Sequence, residues 1–394
     1  MRSIPSFTNQ FRAVGGLVAL MATCPPDFAA DGGTPVVPPN SYFEQAVADS
    51  NPLRIEQARE FNTYILALQQ DPAQLRLVFL PDFSSPAAFV RSTESYRQAF
   101  CRSIGYPCPG VRPDEVPRFE KIGDDGIGTY FRATIPVLPG IHAEGLYIVP
   151  KGLTGPAPLI IAQHGGAGSP ELALFHGGAN YHDMIRGAVK RGYVVFAPQL
   201  LFSSPGLAKT NRVDTDRRLR LVGTTVTAVE VTKIVRSLDV LVQRPEVDAA
   251  RVGMVGLSYG GFYTLVTTAI DPRIKVAVSA GYYGVQESRY AIDELSVPSD
   301  MEFPARFTLF RDSDLVALIC PRPLQIQAGD HDEIHHWESG RQLAPASAAY
   351  YEKLGRAGDF EYRLFAGGHE FNDALAWPFV EKSFGLSSEG YREH

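Results

Sequence analysis

No C-x-x-C and no H-E-x-x-H occurs among the four cysteines and nine histidines of this 394-residue chain. Zinc-type ligand spacing is therefore lacking. A basic surplus is lacking too: Lys and Arg total 37 against 43 Asp and Glu, a formal net charge of −6. Binding a phosphate backbone needs a basic surface, so this balance argues against a nucleic-acid partner. No apolar run reaches the length of a membrane-spanning helix. Internal repeats and long low-complexity tracts are also missing. What is present is ordinary for a soluble globular protein: 45% hydrophobic and 20% charged residues. The chain is long for one domain, short for three, and able to bury a large core.

The first thirty residues have a character of their own. Arg2 and Arg12 precede the apolar run Ala13 to Ala22, small residues lead to Phe28-Ala29-Ala30, and a Gly/Pro-rich stretch runs to Pro39. This resembles a secretory signal peptide over 1–30 followed by a linker, which implies export to the periplasm or beyond. The n-region is long and polar, and the other reading is a disordered leader on a cytoplasmic protein. Met21-Ala22-Thr23-Cys24 is a poor lipoprotein signal. Cys101 and Cys108 are close enough in sequence to close a small disulfide loop in an oxidising compartment. Two ordinary reduced thiols are the other reading. Cys320 ends the apolar run Leu315–Ile319 and reads as a small buried hydrophobe.

Residues 31–115 read as a linker and a helical accessory segment. Ile55, Ala58, Phe61, Tyr64, Ile65 and Leu68 recur near a 3.6-residue period, which predicts a helix over Leu53–Gln69. A second helix is expected over Pro86–Ile104, ended by Tyr106-Pro107-Cys108-Pro109-Gly110. From Val116 the pattern changes. Val116–Ile122, Gly128–Val137 and Ala143–Val149 read as strands joined by short turns, an antiparallel start to a sheet. Apolar runs then alternate with helical stretches: Pro158–Gln163, Tyr193–Ala197, Val252–Leu257, Ile274–Ser279, Pro323–Gln327 and Tyr362–Phe365. Near-continuous apolar strands separated by helices indicate a buried parallel sheet with helices on both faces. Thr224–Gln243 carries a broad apolar stripe from Val226 to Leu241. The catalytic domain is read as 116–394, with a cap-like insertion near 282–315, a stretch too long for an ordinary loop.

The main chemical signal is Gly256-Leu257-Ser258-Tyr259-Gly260-Gly261. A G-x-S-x-G sequence is common by chance. Here it lies between an apolar strand and an apolar helix, the context a nucleophile elbow requires. The flanking glycines let neighbouring backbones pass, and the serine hydroxyl is held above the sheet edge. A serine needs a base, and the base needs an orienting carboxylate. On such an elbow the chain order is serine, acid, histidine. The strand Pro323–Gln327 leads to Gly329-Asp330-His331-Asp332, where the G-x-x-D spacing favours Asp332 as the acid and leaves Asp330 as runner-up. The last strand leads to Gly367-Gly368-His369-Glu370-Phe371, a Gly-rich loop that offers His369 as base. The loop His164-Gly165-Gly166-Ala167-Gly168 is expected to supply an oxyanion donor from Gly166, or from Gly165 as second choice. The Tyr259 N–H is expected to supply the other. His164 is read as structural. His331, His335 and His336 surround Asp332, but a solvated loop face explains them better than a metal does.

These four motifs together resemble the α/β-hydrolase superfamily. More narrowly they are similar to its branch of dienelactone hydrolases, acetyl xylan esterases and prolyl-oligopeptidase-like enzymes. Arg244-Pro245-Glu246-Val247-Asp248-Ala249-Ala250-Arg251-Val252-Gly253 and Asp271-Pro272-Arg273-Ile274-Lys275 resemble the segments that flank the elbow in that branch. The resemblance covers about residues 116–385. Dienelactone hydrolases proper use a cysteine nucleophile, whereas this chain has Ser258. Prolyl-oligopeptidase relatives usually carry an N-terminal β-propeller, which 115 residues cannot supply. The resemblance therefore implies a compact serine esterase, with no metal and no organic cofactor. Its expected substrate is a small-molecule or carbohydrate ester, of acetyl xylan type. Tyr181, Tyr259, Tyr282, Tyr283 and Trp337 are aromatic candidates for the pocket, and core packing explains at least half of them. Other readings are an exopeptidase-like serine peptidase, a lactone or C–C bond hydrolase, and a non-enzymatic binding module. Nothing in the sequence fixes the oligomeric state.

Overall fold

The computed structural model describes residues 51–70, 73–175, 180–201, 212–286, 301–335 and 337–386. The expected leader and part of the expected insertion lie outside the described residues. The chain divides into two compact units, Met1–Thr63 and Tyr64–His394. Of the first, residues 51–63 are described and are helical; they open the helix Asn51–Gln70.

The second unit is built on one sheet. Its described strands are β1 (Arg118–Asp124), β2 (Gly128–Leu138), β3 (Ile141–Pro150), β4 (Ala157–Gln163), β5 (Val194–Pro198), β6 (Val247–Leu257), β7 (Ile274–Ala280), β8 (Leu324–Gly329) and β9 (Phe360–Phe365). They lie in the order β1-β2-β3-β5-β4-β6-β7-β8-β9. The pairs β1·β2, β2·β3 and β3·β5 are antiparallel, and every later pair is parallel. This is the mostly parallel sheet with antiparallel N-terminal strands that the apolar runs imply.

Alternation along the strands explains the two cores. Leu159 and Ile161 of β4 join one apolar cluster with Met254, Phe262, Val231 and Leu315. Ile160 and Ala162, on the opposite face, join another with Val255, Val278, Val189 and Trp377. Successive side chains of a strand point to opposite faces, so a strand buried on both must be apolar throughout. All seven residues of β4 are buried. Helices Val226–Leu241, Tyr259–Ile270 and Asp312–Ile319 bury side chains in the first cluster, and Arg186–Lys190 and Asp373–Ser383 in the second. Thr225 caps the first of these helices, its Oγ1 accepting the Ala228 N–H at 3.0 Å.

The helix expected over Pro86–Ile104 is two helices, Pro86–Ser92 and Glu94–Ile104. The break falls at Thr93, whose N–H and hydroxyl both donate to the Phe89 carbonyl, at 3.1 and 3.0 Å. Tyr96, Phe100 and Ile104, spaced four apart, are wholly buried in the cluster that contains Leu159 and Phe262. The change of character at Val116 is thus a change of secondary structure within one packing unit.

Candidate active site

The elbow follows from close backbone approaches. A side chain on Gly260 would run into the Gln163 carbonyl oxygen at the end of β4, and one on Gly256 into the Gly260 carbonyl. Glycine is therefore required at both positions if β6 and the next helix are to meet at this angle. Ser258, between them, sits at φ 61° and ψ −119°. Such a conformation costs an L-residue about 1–3 kcal/mol and persists only where its surroundings enforce it. Two bonds do so here: the Ser258 N–H donates to Ala280 O at 2.8 Å, and the Phe262 N–H donates to Ser258 O at 2.9 Å. Tyr259 opens the helix Tyr259–Ile270, so its N–H lies at the positive end of that helix dipole.

The carboxylate bonded to His369 is that of Asp332. Its Oδ2 accepts from His369 Nδ1 at 2.8 Å, and its Oδ1 accepts the N–H groups of Ile334 and His335, each at 2.8 Å. Burial alone raises the Asp332 pKa; the hydrogen bond and charge of His369 and the two N–H donors outweigh it and hold the carboxyl below its ordinary value. An ionised Asp332 fixes the proton on Nδ1 and leaves Nε2 as the basic nitrogen. Asp330 is turned elsewhere: its Oδ1 accepts the Gly367 N–H at 3.2 Å and pairs with the exposed His331.

The histidine ring packs against the end of β7. Gly281 has φ 62°, and a methyl group there would lie 3.0 Å from His369 Cε1 and 3.1 Å from Leu257 Cδ1. Ala280, one residue back, accepts the Ser258 N–H. A single strand end thus seats both the elbow backbone and the imidazole.

In the loop after β4, His164 is a fixture. Burial pushes its pKa down to about 4, so it is neutral at ordinary pH. Its Nδ1 donates to Gly165 O at 2.7 Å and its Nε2 accepts the Leu200 N–H at 3.0 Å, which ties the loop to the chain after β5. The Gly165 N–H donates to the Tyr181 hydroxyl at 2.8 Å, so this donor is taken up by a buried phenol. Gly166 is half-buried on the same loop. Beside it, a cleft of about 790 Å³ is lined by Ala167, Ser169, Gln199, Leu201, Glu230 and Lys233 among others. Glu230 and Lys233 are paired at 2.8 Å, and Glu230 also accepts the Leu201 N–H at 2.7 Å.

The other candidates scatter. Tyr282 and Tyr283 are buried in the core, and Trp337 is half-buried at the start of a helix. His335 is buried, with Nε2 2.8 Å from Tyr283 O, and its ring stacks on Tyr282. His336 lies outside the described residues. Among the described residues, no group of three or more His, Cys, Asp or Glu side chains is gathered as a metal site requires. Sequence reasoning missed the contribution of Gly281 and the bond from Gly165 to Tyr181. It also missed the buried ion pair of Arg306 with Asp312, whose Oδ2 accepts the Gly284 N–H at 3.0 Å and steadies the chain after β7.

Comparison with known proteins bears on the family and the fold. The family model described as "Dienelactone hydrolase family" matches residues 146–346, just over half of the chain. The chain belongs to the dienelactone hydrolase family. Like that family, it is a hydrolase acting on esters. YtaP of Bacillus subtilis (strain 168), a hydrolase by assignment, is 26% identical over 239 residues, 58% of this chain and 78% of YtaP. The solved structure of the methylesterase BT1017 is similar at a TM-score of 0.62 and 18% identity, over 83% of this chain and 70% of that one. An acetyl xylan esterase by assignment, BF1801 from Bacteroides fragilis NCTC 9343, follows at 0.59 and 15%, over 81% and 90%. At these identities the two structures bear on the fold, which is that of the α/β-hydrolases. As a family member with Ser258 on its elbow, the chain departs from the cysteine of dienelactone hydrolases proper.

Proposed function

We propose that this protein is a serine esterase that cleaves carboxylic esters borne on carbohydrate, with Ser258 as nucleophile, His369 as base and Asp332 as the orienting acid. The observation that carries the reading is the bond from His369 Nδ1 to the buried Asp332, on a ring seated against the strand end that also holds the Ser258 backbone. His369 takes the Ser258 proton as the hydroxyl attacks the ester carbonyl. The Gly166 and Tyr259 N–H groups stabilise the tetrahedral oxyanion. His369 then protonates the leaving alcohol, and water, activated by the same histidine, releases the acid and restores the serine.

A carbohydrate substrate is supported by the names of the similar structures, and the cleft beside the Gly166 loop offers Gln199, Glu230 and Lys233 among apolar side chains. Export of a protein carrying the leader 1–30 accords with a polymer-degrading role. Among the described residues, no helix is long and apolar enough to cross a membrane. The family description also favours lactones, which the same acyl transfer opens. The test is turnover of p-nitrophenyl acetate, acetylated xylo-oligosaccharide, a dienelactone and alanine p-nitroanilide, side by side. Release of acetate from the oligosaccharide supports the reading. Turnover confined to the anilide would replace it with the exopeptidase reading.

A further inference from the structure

We infer that the segment Asn180–His182 is a strap that fixes the spacing between the serine-side loop and the histidine loop, with Tyr181 as its positioning residue. The inference rests on the hydrolase reading above and concerns how its parts are held.

At one end of the strap, the buried Tyr181 hydroxyl accepts the Gly165 N–H at 2.8 Å, one residue before Gly166. A methyl group built on Gly165 would lie 3.1 Å from Ser258 Cβ and 3.3 Å from the Tyr181 oxygen, so serine and phenol border the same small space. At the other end, Asn180 O accepts the Phe371 N–H at 2.8 Å, and His182 Nε2 lies 2.8 Å from Glu370 Oε2. Glu370 and Phe371 are the two residues that follow His369. The Glu370 carboxylate also fills the space that Gly367 leaves, where a side chain would run into its Oε1.

Two features show that the strap is built rather than incidental. His182 has φ 46°, a left-handed conformation that few residues adopt, with Tyr181 buried and His182 exposed. Tyr181 and Phe371 are both buried in the same apolar cluster, so neither end can drift without opening that cluster. Three bonds from three consecutive residues therefore join two loops that approach the site from opposite sides of the elbow. Their spacing sets where the carbonyl carbon sits relative to donor and base, and a misplacement of about 1 Å costs on the order of 10² in rate.

Tyr181→Phe keeps the ring and removes only the acceptor oxygen. His182→Ala removes the tie to Glu370 from a half-exposed position. Each is assayed with wild type for kcat and KM on p-nitrophenyl acetate, inhibition by phenylboronic acid, and melting temperature. In Tyr181→Phe, kcat falls about 10- to 100-fold with KM within about 2-fold, and the boronate, a mimic of the tetrahedral intermediate, weakens by a similar factor. In His182→Ala the same split appears at roughly 3- to 10-fold. A merely structural role would lower the melting temperature without that split. Wild-type kcat in both variants, or a loss carried by KM, overturns the strap. Should Tyr181→Phe fail to fold, His182→Ala decides alone. If wild type neither turns over ester nor reacts with a fluorophosphonate, the hydrolase reading fails and the strap with it. An active wild type with unchanged variants sinks the strap only.

Discussion

Ser258 occupies a strained backbone conformation, and the residues around it explain why it stays there. Gly256 and Gly260 remove the side chains that would keep β6, β4 and the following helix apart, and Ala280 accepts the serine N–H. The same logic predicts the cost of change at the neighbouring positions. Gly281→Ala places a methyl 3.0 Å from the His369 ring at a left-handed φ. We expect kcat for p-nitrophenyl acetate to fall about 10- to 100-fold with little change in KM, because the base is displaced and the binding cleft is not. Asp332→Asn keeps the shape and removes the charge that fixes the Nδ1 proton, and kcat should fall by on the order of 10⁴. Asp332 also contributes pH-dependent stability. Its folded pKa is depressed, so its contribution is full above the unfolded value of 3.8 and is lost as pH falls through the lower folded value. Urea unfolding of wild type and Asp332→Asn should differ at neutral pH and converge in strong acid. The motif residues themselves were legible in sequence because each sits on a short, glycine-marked stretch next to an apolar strand. Tyr181 was visible only as an aromatic candidate, since its partner lies on another loop and nothing local marks the bond.

At the scale of elements, the parallel strands were readable because burial on both faces forces them to be apolar throughout. Their ends were less so. β6 begins at Val247, five residues before the apolar run, because Asp248 and Arg251 pair at the sheet's rim and break the hydrophobic pattern. The break at Thr93 was hidden because no proline or glycine marks it. The loop after β4 makes a sharper prediction. His164 is neutral and buried, with a pKa near 4 against an ordinary 6.5. The unfolded chain binds the extra proton between these values, so the contribution of His164 is full above pH 6.5 and declines toward pH 4. The loss over that window is about 3 kcal/mol. Unfolding free energies at pH 7 and pH 5 should separate more in wild type than in His164→Asn. Equal slopes would mean that His164 is charged or exposed in the folded protein.

Across the whole molecule, one sheet with helices on both faces carries Ser258, Asp332 and His369 just beyond the ends of β6, β8 and β9. Substrate choice was not legible in the sequence, because it lies in loops whose residues follow no period. The state of the thiols can be checked directly. Cys101, Cys108 and Cys320 are free, and Cys108 Sγ lies 3.3 Å from the Thr224 hydroxyl. A reductant should therefore leave the melting temperature unchanged; a fall of several degrees would show a disulfide between Cys101 and Cys108 in the purified protein. The central claim is that Ser258 is the nucleophile, and one measurement reaches it directly. Wild type and Ser258→Ala are treated with a fluorophosphonate, the modified peptide is mapped by mass spectrometry, and esterase activity is followed in parallel. The account predicts stoichiometric labelling at Ser258 with loss of activity at the same rate, and neither label nor turnover in Ser258→Ala. Labelling at another residue, or ester turnover that survives in Ser258→Ala, would contradict it.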